Sequence, residues 1–395
     1  MRKLSVLLLI LVLSEARDLI SQEVSDTEIY LLTCGPGTET YSIYGHSALR
    51  IIIPGKNSDQ VYNWGVFDFG TPNFAWKFAK GRLEYMLGVY SYESFLREYK
   101  HENRWVISQK INLDEKEKYM LFNLITENLK PENVRYRYDF FFDNCSTRIR
   151  DLLEKATGEN LIYPDDEIKK NLPTFRKLIS EYQKGYPWMN FGINLLLGST
   201  CDKKATFRDK MFLPLDLQKG LSSLSVRRDD KMIPLLTNPV FELSFRQAEQ
   251  KENLTGSPVF TFSMILILFI ILTGVVRKRT PNRVIDIFIF TFFSILSIMM
   301  IFFNFFTDHQ QLRWNLNILW LNPLILLCLA TLIINKYEKI WFRLTFWFAA
   351  VFLTLVVVLP QEINNACFPL TVLLILRSSI RAGFSWNPFA LPDLT

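Results

Sequence analysis

The chain has 395 residues, 49% of them hydrophobic, and a formal net charge of +6. It is long enough for one sizeable domain and more, and its basic residues gather in short clusters beside apolar segments, a pattern of membrane topology rather than nucleic-acid binding. No zinc-finger cysteine spacing, Gly-rich phosphate loop or basic–aromatic recognition stretch is present, so the sequence calls for no nucleic acid, no metal and no cofactor.

The N-terminus reads as a signal peptide over residues 1–16. Met1-Arg-Lys is a basic start, 4–13 an apolar run, and Ser14-Glu-Ala16 offers small residues where a peptidase cuts. A retained anchor is the alternative; either way the next domain, 17–256, is exported. Residues 27–33 read as a strand. A Gly-rich loop over 34–47 leads to His46, and the β-branched run 49–53 reads as a buried strand closed by Pro54-Gly55. The next strand is 60–69, forming an antiparallel hairpin with a long turn. Short helices are expected at 74–81 and 91–99, and a strand at 104–113. Asp114-Glu-Lys-Glu117 is a capping box that opens a helix running to Leu129.

Next comes the stretch on which the domain is centred. Residues 134–142 alternate, putting Val134, Tyr136, Tyr138, Phe140 and Phe142 on one face of a strand, while Ile149, Leu152, Leu153 and Ala156 recur at helical spacing. Asp143 and Asn144 are both N-cap candidates, and Gly158 ends the helix. Cys145 thus falls in a first helical turn, where backbone N–H groups stabilise a thiolate and are placed to hold an oxyanion. A buried structural cysteine is the bland alternative, but the flanking Asp, Asn, Ser146, Thr and Arg fit a core position poorly. The chain has three histidines, His46, His101 and His309. His46, preceded by Gly45 and followed by a strand, is the candidate base. Asn63, Asp68 and Asp143 are candidates to orient it, with Asn144 and Ser146 beside the thiol. The sum is an α+β domain with an antiparallel sheet. None of Cys34, Cys145, Cys201, Cys328 and Cys367 forms a CxxC pair. Cys34 and Cys201 have the option of one disulfide in an exported domain, separate buried thiols being the alternative.

Farther on, 172–184 reads as helical, 188–198 as an apolar segment too short to span a bilayer, 240–243 as a final strand and 249–256 as a polar linker. The membrane domain, 257–380, follows as five spans at 258–276, 284–306, 318–334, 341–359 and 364–376. Arg277, Lys278, Arg279 and Arg283 follow the first span; Lys336, Lys339 and Arg343 the third; Arg377 and Arg381 the fifth. The loop after the second holds only Arg313. The positive-inside rule then puts the exported domain outside and a tail, 381–395, in the cytoplasm. His309, Asn315, Asn317 and Asn322 fall at the outer membrane boundary, where polar side chains serve either packing or a site.

Three segments, Tyr44-Gly-His-Ser-Ala-Leu-Arg50, 63–69 and Phe141-Phe-Asp-Asn-Cys-Ser-Thr-Arg148, resemble the periplasmic domain of Lnb-like proteins. The stretch from His309 to Pro323, with its spaced asparagines, resembles their membrane part. The resemblance implies a circularly permuted papain-like (NlpC/P60-like) cysteine-enzyme domain followed by an all-α transmembrane bundle. It maps the family's Cys-His pair onto Cys145 and His46. It also implies lipoprotein intramolecular transacylase activity in the bacterial inner membrane: an O-acyl chain moves from the diacylglyceryl group of a lipoprotein to its N-terminal cysteine amine. The implied partners are diacylated lipoproteins, or another lipid-anchored substrate, and the bilayer. An extracytoplasmic hydrolase of peptide or wall substrates and a non-catalytic envelope protein are the competing classes.

Overall fold

The structure, a computed structural model, describes residues 26–168, 171–245, 254–275, 279–334, 336 and 339–384. The expected signal peptide, and most of the expected linker and tail, lie outside the described residues. In chain order the strands are β1 (Glu28–Cys34), β2 (His46–Ile53), β3 (Ser58–Val66), β4 (Glu84–Ser91), β5 (Val106–Lys110), β6 (Arg135–Arg137), β7 (Leu161–Ile162), β8 (Ser225–Arg228), β9 (Lys231–Pro234) and β10 (Val240–Leu243). The helices used below are α1 (Phe74–Ala79), α2 (Tyr92–His101), α3 (Glu115–Leu129), α4 (Cys145–Thr157), α5 (Phe175–Tyr182), α6 (Pro187–Leu196) and α7 (Pro214–Ser223). They continue with α8 (Pro258–Val275), α9 (Arg279–Phe305), α10 (Leu324–Ile334), α11 (Lys339–Leu355) and α12 (Cys367–Ala382).

These elements form two compact units. The first takes the described residues up to Phe78, Arg82–Leu172 and those from Ala205 to Ala248; the second takes Ala79–Gly81, Pro173–Lys204 and those from Glu249 on. The division is not a single cut, because the segment Pro173–Lys204 belongs with the membrane helices.

The first unit is a mixed α/β body around a seven-stranded antiparallel sheet of order β10-β5-β1-β2-β3-β4-β6, with a second sheet, β7-β8-β9. Period-two alternation along β1 explains its two faces. Ile29 and Leu31, with Leu49 and Ile51 of β2, pack under α3, α4 and α7 through Leu121, Ile125, Ile149, Leu153, Leu217 and Leu221. Leu32 and Cys34, with Ala48, Val61 and Val106, face Phe95 and Tyr99 of α2. The Asp114–Glu117 capping box is present in full, as the sequence expects.

One expectation is corrected here. The strand expected over 134–142 shrinks to Arg135–Arg137. Alternation holds as far as Tyr138, but Asp139 then accepts from the N–H groups of Phe141 and Phe142, and Asp139 and Asp143 exchange backbone bonds of 3.0 Å each way. An Asp that satisfies the amides ahead of it makes a turn instead of a ladder, and Phe142 is left 54% exposed. Of the two readings of Cys34 and Cys201, separate thiols are what the structure has: both are buried and free. Strand β4 escapes the sequence reading because Tyr-Met-Leu-Gly-Val is a continuous apolar run, which periodicity cannot classify.

The second unit is helical. Phe290, Phe293, Trp320, Ile325, Phe342, Phe352 and Leu374 share one core with Leu195 of α6. Among the described residues three segments are long and apolar enough to cross a membrane: Pro258–Val275, Asn282–Phe305 and Leu316–Ile334. Helices α11 and α12, read as further spans, have 17 and 16 residues. Arg377 and Arg381, read as a loop after the last span, instead lie within α12 and are buried.

Arg176 on α5 shows how the short segment is fixed. It is 2% exposed. It donates to both carboxylate oxygens of Asp202, to Asn194 Oδ1 and to the carbonyls of Asn194, Leu197 and Gly198. Truncation strands a carboxylate and three carbonyls in the interior, so Arg176→Met is expected to destabilise the protein by roughly 3–5 kcal/mol. Neighbouring Lys177, 59% exposed and 3.8 Å from Glu362, is expected to cost well under about 1 kcal/mol as Lys177→Ala. Thermal unfolding of the two variants in detergent checks the contrast; equal midpoints refute it.

Candidate active site

The geometry around Cys145 begins with Gly45. Its φ of +82° lies in the region only glycine enters freely, and a Cβ there would sit 2.7 Å from the Cys34 carbonyl oxygen. The glycine therefore turns the chain tightly into β2, whose first residue is His46, paired in register with Cys34 of β1. Asn63 lies on β3 one residue past Tyr62, the last residue of that strand paired with β2. Its side-chain oxygen is 2.5 Å from His46 Nε2. An N–H donated from Nε2 to that oxygen leaves Nδ1 as the bare ring nitrogen, able to take a proton from a thiol.

Cys145 is the first residue of α4, 8% exposed. Asn144 is the N-cap: its side-chain oxygen accepts from Ser146 N–H at 2.8 Å and Thr147 N–H at 2.9 Å, while its own N–H donates to Thr147 Oγ1 at 2.7 Å. The cap thus consumes two of the amides expected to serve an oxyanion, and the Cys145 N–H is the first-turn amide it leaves. Gly65 brings β3 against Cys145, since a Cβ built on it lies 3.8 Å from Cys145 Cβ. Its φ of +90° accompanies a register shift between Trp64 and Val66.

Burial is the largest single influence on the Cys145 thiol and opposes the thiolate. The charge of His46, its hydrogen bond to the sulfur, the Ser47 backbone N–H and the Ser146 hydroxyl together outweigh burial, and the thiol titrates below its ordinary value. His46 shows the mirror image. Burial disfavours its cation, but the Cys145 charge, the bond to Cys145 and the bond to Asn63 raise it above the ordinary imidazole value. The pair is held toward thiolate and imidazolium. At Cys34 burial outweighs the nearby Arg104 charge and the Tyr99 hydroxyl, and pushes the thiol up to about 12.

The other candidates separate clearly. Asp68 lies past the end of β3 and accepts from Gly70 N–H at 2.8 Å in an exposed turn. Asp143 binds Arg148 through both oxygens, at 2.5 and 2.9 Å, with the guanidinium stacked 3.6 Å from the Tyr136 ring centroid. Ser146 is fully buried, 3.3 Å from Ser47 Oγ and 3.9 Å from the Cys145 sulfur. Ser47 is the contact that sequence reading misses; its only signal is that it follows His46.

The boundary residues lie in the other unit. Asn315 donates to the carbonyls of Leu195 and Leu196 at the end of α6, both at 2.8 Å, and accepts from Gln361. Asn317 donates to Leu195 O and accepts from Trp320 Nε1. Asn322 donates to Leu319 O and accepts from Leu324 N–H. His309 packs against Gly81, and Asp308 N–H donates to Lys80 O at 2.9 Å. The asparagines spend their polar atoms on backbone and on each other, which is what interior amides need. Among the described residues no group of three or more His, Cys, Asp or Glu side chains is arranged to hold a metal.

The opposed shifts of Cys145 and His46 give a direct test. A thiol whose value is lowered stays thiolate, and keeps its alkylation rate, as pH falls below the ordinary cysteine value. The rate is lost only below the lowered value. In His46→Asn burial remains and the favourable charge is gone, so the transition moves above the ordinary value. Alkylation of Cys145 against pH, followed by peptide mass spectrometry, reads both transitions; coincident profiles contradict the coupling.

Two family models match the chain: the Lnb N-terminal periplasmic domain over residues 20–181 and the Lnb transmembrane domain over 249–385. No curated protein and no solved structure matches it. On these two matches, one over each part, the chain belongs to the Lnb-like family, membrane proteins of lipoprotein processing with a periplasmic N-terminal domain.

Proposed function

We propose that the protein is a thiol acyltransferase in which Cys145 is the nucleophile, His46 the base and Asn63 the residue that orients His46. The observation that carries this reading is the thiol at a helix start, lowered by a histidine whose far nitrogen is held by Asn63. A histidine on a strand, a cysteine opening a helix and an asparagine as third member also suit a circularly permuted papain-like fold, in which the histidine comes first in the chain.

The proposed reaction moves an acyl chain within one diacylated lipoprotein. The Cys145 thiolate attacks the carbonyl carbon of the glyceryl sn-2 ester, and the oxyanion is met by the Cys145 N–H. The ester C–O bond breaks, the glyceryl oxygen leaves with the proton from His46, and an acyl thioester remains. The substrate's α-amine then attacks the thioester, His46 takes its proton, and the thiolate is released. The amine is tethered to the substrate already bound, an effective concentration that water arriving by diffusion does not match.

Cys145→Ala is expected to abolish lyso-form lipoprotein N-termini in a host that depends on the protein. His46→Ala should lower the rate by roughly 10²–10⁴-fold, the span of general-base catalysis, and Asn63→Ala by less. Mass spectrometry of lipoprotein N-termini at matched expression is the measurement. Unchanged N-termini beside altered wall peptides would sink the transfer and favour hydrolysis.

The topology proposed with this function has the N-terminal domain in the periplasm and the C-terminus in the cytoplasm. A cysteine at position 230 should react with an impermeant thiol reagent in intact cells, and one at position 280 only after lysis. The opposite result reverses the orientation.

A further inference from the structure

The membrane unit holds an unbalanced charge at the end where α9 begins and α12 finishes. Arg377, Asp286 and Arg381 are 0%, 0% and 3% exposed. Arg377 donates to Asp286 Oδ1 at 2.6 Å, to Thr273 Oγ1 at 2.6 Å and to Asn282 Oδ1 at 3.2 Å. Arg381 Nε donates to the other oxygen of the same carboxylate. Among the described residues, two guanidinium groups therefore share one carboxylate, an excess of one positive charge away from water. Buried charges in a membrane domain are paired, and an unpaired one marks a site.

The negative end of α12 offsets part of this excess, but Arg343 already donates to the Ala382 carbonyl there. A second observation is independent of the charge count. Among the described residues, Arg381 Nη2 and Ser378 Oγ are both buried with no hydrogen-bond partner. They stand three residues apart on α12, which puts them on one helix face. Both can donate, and one of them carries the surplus charge. A tetrahedral oxyanion accepts from a hydroxyl and a guanidinium together, and guanidinium geometry suits phosphate. Arg381 is the second-last residue of its helix, and helix ends of a membrane unit lie at the depth of lipid headgroups.

We propose that Arg381 and Ser378 bind the phosphate of an anionic phospholipid, which supplies the missing negative charge to the Arg377–Asp286–Arg381 cluster. The proposal rests on the membrane unit alone and stands or falls apart from the chemistry of Cys145. The reader of this site is the lipid composition of the bilayer, with the headgroup acting as a structural ligand.

The test uses the full-length protein in a zwitterionic detergent, titrated with phosphatidylglycerol or, in parallel, phosphatidylcholine. Phosphatidylglycerol should raise the unfolding midpoint by about 3 °C or more, the linkage expected for a ligand of the native state, and should survive as an adduct in native mass spectrometry. Phosphatidylcholine should do neither. Arg381→Gln removes the guanidinium proposed to meet the phosphate and one bond to Asp286, so its lipid-free midpoint should fall, and against that lower baseline it should lose both the adduct and the lipid-induced shift. If Arg381→Gln does not fold, Ser378→Ala carries the test, with adduct occupancy falling severalfold. Equal responses to the two lipids, or a full adduct in the variant that folds, overturn the proposal. A shift of the same size from inorganic phosphate alone overturns the lipid assignment in favour of a free anion.

Discussion

Asn144 is the side chain on which the Cys145 site depends. It is 2% exposed, and its amide uses its full capacity. The oxygen accepts from Ser146 and Thr147, and the nitrogen donates to the carbonyls of Phe140 and Phe212 at 2.7 and 2.9 Å. Two donors meet the oxygen and two acceptors meet the nitrogen, so the network itself fixes which way the amide points. One side chain thereby joins the 139–143 turn, the start of α4 and the chain just before α7. An aspartate there has no N–H to give to Phe140 and Phe212, which explains why Asn144 caps and Asp143 is released to bind Arg148.

Much of this site is written locally in the sequence, and what is local is readable. A cysteine beside two cap residues and ahead of a helical period places itself at a helix start, and the rarity of histidine singles out His46. Asn63 is one of three candidates in the sequence because what distinguishes it is a register, β3 beside β2, that no local pattern encodes. Ser47 contributes a backbone N–H, which carries no side-chain signal at all. The sheet was legible where alternation is clean, in β1 and β2, and illegible in β4, where apolar residues run together. The turn at Asp139 breaks an alternation that by residue type continues through Phe142.

The buried polar residues of the membrane unit follow a different rule. At Asn315, Asn317 and Gln361 each amide meets a carbonyl or another amide, so the Pro173–Lys204 segment is sewn to that unit by hydrogen bonds made inside it. Arg176 does the same with a charge, matched by Asp202. The Arg377 cluster departs from the pattern, with two cations to one acid. Sequence reading takes Arg377 and Arg381 as topology markers because basic residues after an apolar run ordinarily face water. Only the packing of α12 against Asp286 of α9 shows them enclosed.

The coupling between Cys145 and His46 also bears on how the proposed transfer turns over. In the free enzyme the thiolate is the main partner that raises His46 against the cost of burial. Acylation converts that thiolate into a neutral thioester. The charge that held the imidazolium is gone while the desolvation that opposes it remains, so the affinity of His46 for its proton falls as the glyceryl oxygen needs one. The acyl-enzyme is then left with a neutral imidazole, still bound through Nε2 to Asn63. Its Nδ1 is bare when the amine arrives carrying a proton to lose. As the amide forms and the sulfur leaves, the thiolate returns and stabilises the imidazolium again. The same pair of opposed shifts thus serves as proton donor in the first half of the reaction and proton acceptor in the second, with no third titrating group.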